Sequence, residues 1–378
     1  MVMFKVIRIR KSVVFLVLAV LACAAPVCLW QIGGAVPVFS NDGNASDISD
    51  KAVMALVDSQ LAVRNTAMLT GEVTAIKALY DTGVRNGLYA YEHEVKKTKY
   101  LGNWAQKQGI RFTSISSKTQ KKWINSKKER ITINFLASTT YTYEYENKSG
   151  VKHEMRIGTY HEMVIVKQDG DWIITREWYT DPFADSLNLE NIQADDNRAY
   201  ILSRTPDPKL ELDGRRKKAV EYADRYCGAA GTAETGYAYN PKYKNYNSKG
   251  GDCANFVSQV LYEGGGFKKT GSWNYGKEGS KAWLNAQAFK NFLLSSQRGS
   301  LIAYGKYGEV LKSSYKLMPG DIVAYEKKGK VAHVSVVTGA DASGYALVNC
   351  HNTDRYRVPW DLGWSDSGIR FYLIRVNY

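Results

Sequence analysis

Three segments in the C-terminal part of the chain hold residues whose types and spacing suit covalent chemistry. The first runs Gly250-Gly251-Asp252-Cys253-Ala254-Asn255-Phe256-Val257-Ser258-Gln259. Asp252 is a favourable helix N-cap. Cys253 then falls in the first turn of a helix that Phe256, Val257, Val260 and Leu261 continue and Gly264 stops. Unpaired amides and the positive end of the helix dipole favour an anion at that place. The position therefore predicts a lowered thiol pKa, and a thiolate is a nucleophile. The same amides suit an oxyanion formed on an attacked carbonyl. The competing reading of Cys253 is a small buried apolar residue.

The second segment, Val331-Ala332-His333-Val334-Ser335-Val336-Val337, reads as an apolar strand carrying one imidazole. Strand periodicity sets His333 with Val331, Ser335 and Val337, and turns Val334 and Val336 the other way. Beside a helix-start thiol, His333 is a general-base candidate; alone it would be an ordinary core histidine. The third segment is Asn349-Cys350-His351-Asn352. The Asp341–Gly344 turn makes its strand the neighbour of the His333 strand. A polar side chain there would bond the far nitrogen of the His333 ring and fix its tautomer. His351 is the favoured third residue, and Asn349 and Asn352 are alternatives. A loop-edge residue is the plain alternative for His351.

Elements must hold these groups in place. Ala219 to Ala223 is helical, a Gly/Tyr/Asn-rich loop runs from Gly228 to Gly251, and a looser helical stretch holds Trp283, Ala286, Phe289 and Phe292. Strands are expected over 322–326, 331–338, 345–351 and 369–376. Trp273, Trp283 and Trp360 are candidates to line a groove for peptide or sugar, and packing explains them equally. Upstream, helices carry Val53, Leu56, Val57 and Leu61, then Val73 to Tyr80, then Leu88, Tyr91 and Val95. Long strands follow over 131–145 and 155–167, and Asp169-Gly170 makes a hairpin turn into Trp172.

The 378 residues suggest two domains. The expected layout is an export signal or membrane anchor over 1–30, a linker over 31–47, an α+β accessory domain over 48–182, a linker over 183–213, and the chemistry-bearing α+β domain over 214–378. The first of these rests on a basic stretch from Lys5 to Lys11 ahead of an apolar run from Val13 to Trp30. The protein is thus expected to be exported, either secreted or held at the cell envelope. Cys227, Cys253 and Cys350 are then the thiols of the mature part; with an odd number at least one stays free, and a Cys227–Cys350 pair is open. No ligand spacing for a metal is present and the chemistry needs no cofactor. The net charge is +14, and no acidic residue occurs between Lys96 and Lys128. That stretch suits anionic wall polymers or a membrane surface, or is simply a solvated face. No nucleic-acid recognition motif occurs.

From about residue 215 to the end, the chain resembles the bacterial amidase-domain family, related to the NlpC-type, papain-like cell-wall hydrolases. The resemblance rests on Tyr222-Ala223, Tyr239-Asn240-Pro241, Asp252 to Gln259, Leu317 to Val323, Ala332-His333-Val334 and Cys350 to Asp354. It implies a papain-like α+β fold with the nucleophile at a helix N-terminus packed on a small antiparallel sheet. It further implies a thiolate–imidazolium pair and a thioester intermediate. Tyr243 or Tyr246 would stand beside the nucleophile, and Asn255 would hold the loop. The helix-then-strand layout of the accessory part looks like the cone-shaped, nuclear-transport-factor-like fold. The function expected is an exported cysteine amidase or peptidase acting on peptidoglycan or its stem peptide. The alternatives are a non-catalytic envelope-binding module and an acyl transferase using the same Cys-His pair.

Overall fold

The computed structural model describes residues 48–193, 197–207, 211–231 and 236–378. The expected export segment and the linker over 31–47 lie outside the described residues. Among the described residues no helix is long and apolar enough to cross a membrane.

Helix α1 (Asp50–Thr70) starts at Ser49, whose hydroxyl accepts from the Ala52 amide at 3.3 Å, and stops at Gly71 in the left-handed region. After the short α2 (Thr74–Lys77), α3 (Arg85–Gln108) runs well beyond the expected Val95 and ends at Gly109, again left-handed. Strands β1 (Ile110–Lys127), β2 (Arg130–Tyr145), β3 (His153–Gln168) and β4 (Asp171–Tyr179) follow as an antiparallel meander. The β3–β4 turn is the expected hairpin: Asp169 and Gly170 both have positive φ, as a two-residue turn of matching twist requires. β1 occupies the basic stretch and forms the edge of the sheet, with Lys118, Lys121, Lys122 and Lys127 exposed along it. Edge lysines also discourage pairing with a foreign strand.

Under the meander lies a buried charged cluster. Arg64 forks onto Glu177, which also takes a hydrogen bond from Tyr80 (3.0 Å) and faces His161 Nδ1 (2.9 Å). Lys97 meets Glu94 at 2.6 Å and the Tyr179 hydroxyl at 3.1 Å. The Arg64 and His161 positions hold Glu177 well below the usual carboxylate range, despite its burial.

The stretch expected as a linker carries Phe183, fully buried, and the short α4 (Arg198–Leu202). The C-terminal half contains α5 (Gly214–Arg225), α6 (Cys253–Gln259), α7 (Lys281–Leu284), α8 (Ala286–Ser295), β5 (Gly299–Gly305) and α9 (Tyr307–Ser314). It closes with β6 (Ile322–Lys327), β7 (Lys330–Ala340), β8 (Ala346–Cys350), β9 (Asp354–Pro359) and β10 (Ile369–Val376). α6 continues as a π-turn over Val260–Gly264.

The sheet expected to stand by itself in this half is instead the continuation of the upstream one. The strand order is β1-β2-β3-β9-β8-β7-β6-β10-β5, with β4 beside β3. β3 gives one edge to β2 and divides the other between β4 and β9, where Gly158 faces Asp354. Gly158 is required there: a Cβ would come within 2.4 Å of the Ala229 backbone. One core joins both halves, packing Tyr100, Leu101 and Trp104 of α3 with Tyr345, Trp360 and Phe371. Polar ties reinforce it: Trp104 Nε1 and Lys107 reach Asp361, and Tyr145 donates to Asp341 at 2.7 Å. A second core fills the opposite face of β6, β7 and β10, where Ala324, Val334, Val336 and Ile374 meet α6 and α8. The two faces of β7 therefore look into different cores, and the site is built across this partition.

Candidate functional site

Cys253 opens α6 and packs its side chain into the second core, 5% exposed. Asp252 stands at the N-cap position but makes no side-chain cap. Its carboxylate is turned elsewhere. Oδ1 accepts from the Tyr246 amide (2.9 Å) and from Asn255 Nδ2 (2.8 Å), and Oδ2 faces His351 Nδ1 at 2.6 Å. An Asp at this place would ordinarily bond the amides of the first turn. Its diversion leaves those amides to the sulfur. The amides of Val334, Ala254 and Cys253 itself all favour the thiolate. Burial nevertheless outweighs them, with Asp252 adding to it, and the thiol is pushed up to about 11. The lowered pKa expected from helix position is therefore not what this environment gives.

His351 does not orient His333. Its ring is held between Asp252 and the Tyr226 carbonyl, which meets Nε2 at 2.7 Å, and it stacks on Phe256 at 4.1 Å. Both ring nitrogens thus face acceptors, the arrangement of an imidazolium. Burial opposes the charge, but the Asp252 hydrogen bond and the Asp354 and Asp252 charges prevail and raise the pKa. His351 is the counterpart that keeps the Asp252 carboxylate away from the helix end.

His333 lies on the other face of β7. Its register partner is Tyr325, and its ring stacks on Trp364 (5.2 Å) and Tyr325 (5.5 Å), on the face that carries Val323 and Val337. The expected grouping with Val331 is broken by an irregularity in the β6–β7 ladder: Val331 pairs with Glu326 and His333 with Tyr325, so Ala332 is extra. The bulge moves Val331 into the Cys253 core while His333 stays out of it. Val334, whose amide serves the sulfur, is the next residue along the strand from His333. His333 Nε2 is buried without a hydrogen-bond partner. Burial, with Arg355 nearby, depresses its pKa to about 3, which keeps the ring neutral.

The remaining candidates hold structure. Asn349 is bonded to Ala223 O, Asp224, Thr338 and the Arg357 amide, away from His333. Asn352, at positive φ, accepts the Asp252 amide at 2.5 Å. Gly251 gives room to this same asparagine: a Cβ there would meet Asn352 Nδ2 at 2.3 Å. That space is thus taken by Asn352. Asn255 ties Asp252 to the Lys244 carbonyl and receives Trp283 Nε1 at 2.9 Å. Tyr243 bonds Glu263 rather than the sulfur, and Tyr246 contributes its backbone to Asp252. Trp273, Trp283 and Trp360 are fully buried, so none lines an open groove. Cys227 and Cys350 are free thiols, not a disulfide, and burial pushes both up to about 12. Among the described residues no group of His, Cys, Asp and Glu is placed to hold a metal.

The partners of Asp252 are not legible locally, because the ring that claims its carboxylate lies 99 residues away. The local signal is the Asp252-Cys253 juxtaposition together with a downstream histidine.

Residues 213–374 match the family model described as "Putative amidase domain". Two Bacillus subtilis (strain 168) proteins are similar to part of the chain. "Uncharacterized protein YhbB" is 31% identical over 153 residues, covering 38% of this chain and 43% of that protein. "Uncharacterized protein YjcM" is 29% identical over 171 residues, covering 42% and 36%. The chain thus spans less than half the length of these relatives. Among solved structures, the intermembrane space region of chloroplast protein ARC6 aligns at 10% identity, over 35% of this chain and 98% of that one, with a TM-score of 0.26.

Proposed function

We propose that the 213–374 domain, which matches an amidase family, hydrolyses an amide bond with Cys253 as nucleophile. The observation that carries this reading is the uncapped start of α6. The carboxylate that would close it is held by His351, Asn255 and the Tyr246 amide, and the freed amides serve the sulfur. The sulfur attacks the substrate carbonyl and gives up its proton; the tetrahedral oxyanion is received by the α6 amides; the amine leaves protonated; and water hydrolyses the thioester.

The base in this proposal is His333, neutral and with an unpartnered Nε2. In this proposal the ring turns from its stack on Tyr325 and Trp364 toward the sulfur. The structure as described is then a resting form, and the thiol ionises as it attacks rather than beforehand. The substrate class proposed is peptidoglycan or its peptide stem, met outside the cell by an exported protein. The test is release of peptide or amine from purified sacculi, followed by mass analysis, with Cys253→Ala and His333→Gln beside the unaltered chain. Turnover unchanged in Cys253→Ala would end the mechanism. Turnover lost in Cys253→Ala but kept in His333→Gln would remove His333 as base. Adding a primary amine and looking for amide products separates hydrolysis from acyl transfer.

A second reading has its own observation. A buried, un-ionised thiol, with His333 stacked on Trp364 and Tyr325, is also what a packing cysteine looks like. On that reading the protein binds envelope material without turning it over, and the sacculus experiment shows binding but no release.

A further inference from the structure

We propose that the outer face of the β1–β2 hairpin docks on an anionic lipid surface, an inference that stands apart from the amidase reading. The two faces of β1 are unlike. Ser117 bonds Asn65 of α1 at 3.0 Å, Thr119 bonds Asp58 at 2.6 Å and Lys121 pairs with Asp50 at 2.6 Å, so this alternating set faces α1. The ladder then slips between Lys121 and Trp123, and Lys122 is the extra residue. Beyond the slip, Ile124 packs against the cluster of Val53, Val57 and Ile131, and Ser126 Oγ donates to the Ile48 carbonyl at 3.0 Å. The bulge therefore turns Trp123 outward with Lys118 and Lys127. An unbroken strand would have aimed the indole at α1.

That outer face is basic and carries one large apolar group. Lys118, Lys122, Lys127, Lys128 and Arg130 are exposed, and among the described residues none of them pairs with a carboxylate. Lys122 Nζ donates to the Gln120 side-chain oxygen at 2.8 Å. The anions at this end of the sheet are Glu129 in the turn, and Asp169 and Asp171 in the turn beyond β3, where Lys167 adds a further cation. Trp123 is 49% exposed. Cations along one face attract any polyanion. The indole decides between polyanions. At a water–lipid boundary its ring leaves water while its N–H stays wet, and a phosphate polymer in solution offers it no such place.

The start of the described chain points the same way. It begins at Ile48, whose carbonyl is held by Ser126 of the strand that carries Trp123. The apolar run Val13–Trp30, expected as a signal or anchor, lies outside the described residues. Residues 31–47 join that run to Ile48 and reach at most about 60 Å when extended, or ~23 Å as a flexible coil. A run retained in a membrane therefore tethers the protein beside its basic hairpin.

The test reconstitutes the full chain in vesicles of phosphatidylcholine, alone or with about 30% phosphatidylglycerol, and reads lysine acetylation by mass spectrometry. Lys118, Lys127 and Lys128 should label at least about threefold more slowly in the anionic vesicles. Lys242 of the downstream half, with its side chain 72% exposed, should be unchanged. Raising the salt to about 0.5 M should abolish the protection. Quenching of tryptophan emission by brominated lipid should fall in Trp123→Phe. A variant with Lys122→Gln, Lys127→Gln and Lys128→Gln, all at exposed positions, should lose protection at Lys118. Equal labelling in the two vesicles, protection that extends equally to Lys242 or survives at Lys118 in the triple variant, or quenching unchanged in Trp123→Phe overturns the proposal. So does stronger protection by soluble polyglycerol phosphate than by anionic vesicles at equal phosphate, which makes a wall polymer the partner.

Discussion

The reactivity of Cys253 follows from the competition at α6, and it can be worked through. The sulfur sits at about 11 because burial exceeds the help from three amides, whereas a free cysteine thiol ionises near 8.5. At pH 7.5 the thiolate fraction is then roughly 300-fold smaller than that of a free thiol with its ordinary pKa. Part of this is returned, because a more basic thiolate is a better nucleophile. With a Brønsted slope of ~0.4–0.5 over about 2.5 units, the return is roughly 10- to 20-fold. Iodoacetamide should therefore label Cys253 roughly 15- to 30-fold more slowly than glutathione on ionisation grounds, and slower still for access. Below pH 10 the rate should climb about tenfold per pH unit. Peptide mapping by mass spectrometry, with glutathione in the same tube, reads this directly. Cys227 and Cys350, at about 12, should trail Cys253. Labelling of Cys253 faster than glutathione at pH 7.5, with a plateau below pH 8, would refute the reasoning. It would mean that the sulfur is ionised at rest.

Other expectations rest on neighbouring features. Asp252→Asn should leave the buried His351 ring without its anion, cost about 3–5 kcal/mol by urea unfolding, and lower the His351 pKa seen by NMR titration. In the unaltered protein the raised His351 pKa means that this brace is complete below the unfolded value near 6.5. It is lost as pH rises through the folded value, so alkaline solution weakens it. The accessory cluster behaves oppositely. Glu177 lies below its ordinary range and Glu94 is lowered to about 2, so their contribution is full above about 4.5 and drains as pH falls toward 2; melting curves taken across pH 6 to 2 should show the loss. Glu177→Ala should remove about 3–5 kcal/mol and with it most of that acid dependence. Gly251→Ala, at φ 130° and against Asn352, should lower stability by about 1–3 kcal/mol, read as a shift of the urea midpoint.

Much of the fold is legible from local pattern. The Asp169-Gly170 hairpin, the long β2 and β3, β10 and the Cys253 helix all follow from turn chemistry and periodicity. β1 does not, because its alternating Lys, Ser and Thr reads as a charged surface until β2 is seen to cover one edge. β9 is only six residues long with Arg357 at positive φ, so it carries no period to read. At the site, the residue types were legible and their facing was not. A period-2 reading of Val331 to Val337 assumes an unbroken ladder, and a single extra residue at Ala332 moves Val331 across the sheet while leaving His333 opposite Tyr325. The diversion of Asp252 is likewise a tertiary event, since a local reading of Gly-Asp-Cys yields a capped helix.

The shared rung between β3 and β9 has a bearing on how such a protein is dissected and how it evolves. Severing the chain ahead of α5 would strip the hydroxyls of Tyr143 and Tyr145 from Asp341. It would also bare the flank of β9, an open flank that invites self-association. The downstream half would come away sticky and misshapen rather than free. Lineages that trade the upstream half for a different neighbour must therefore supply a new lid for the Tyr345–Trp360–Phe371 face as they do so.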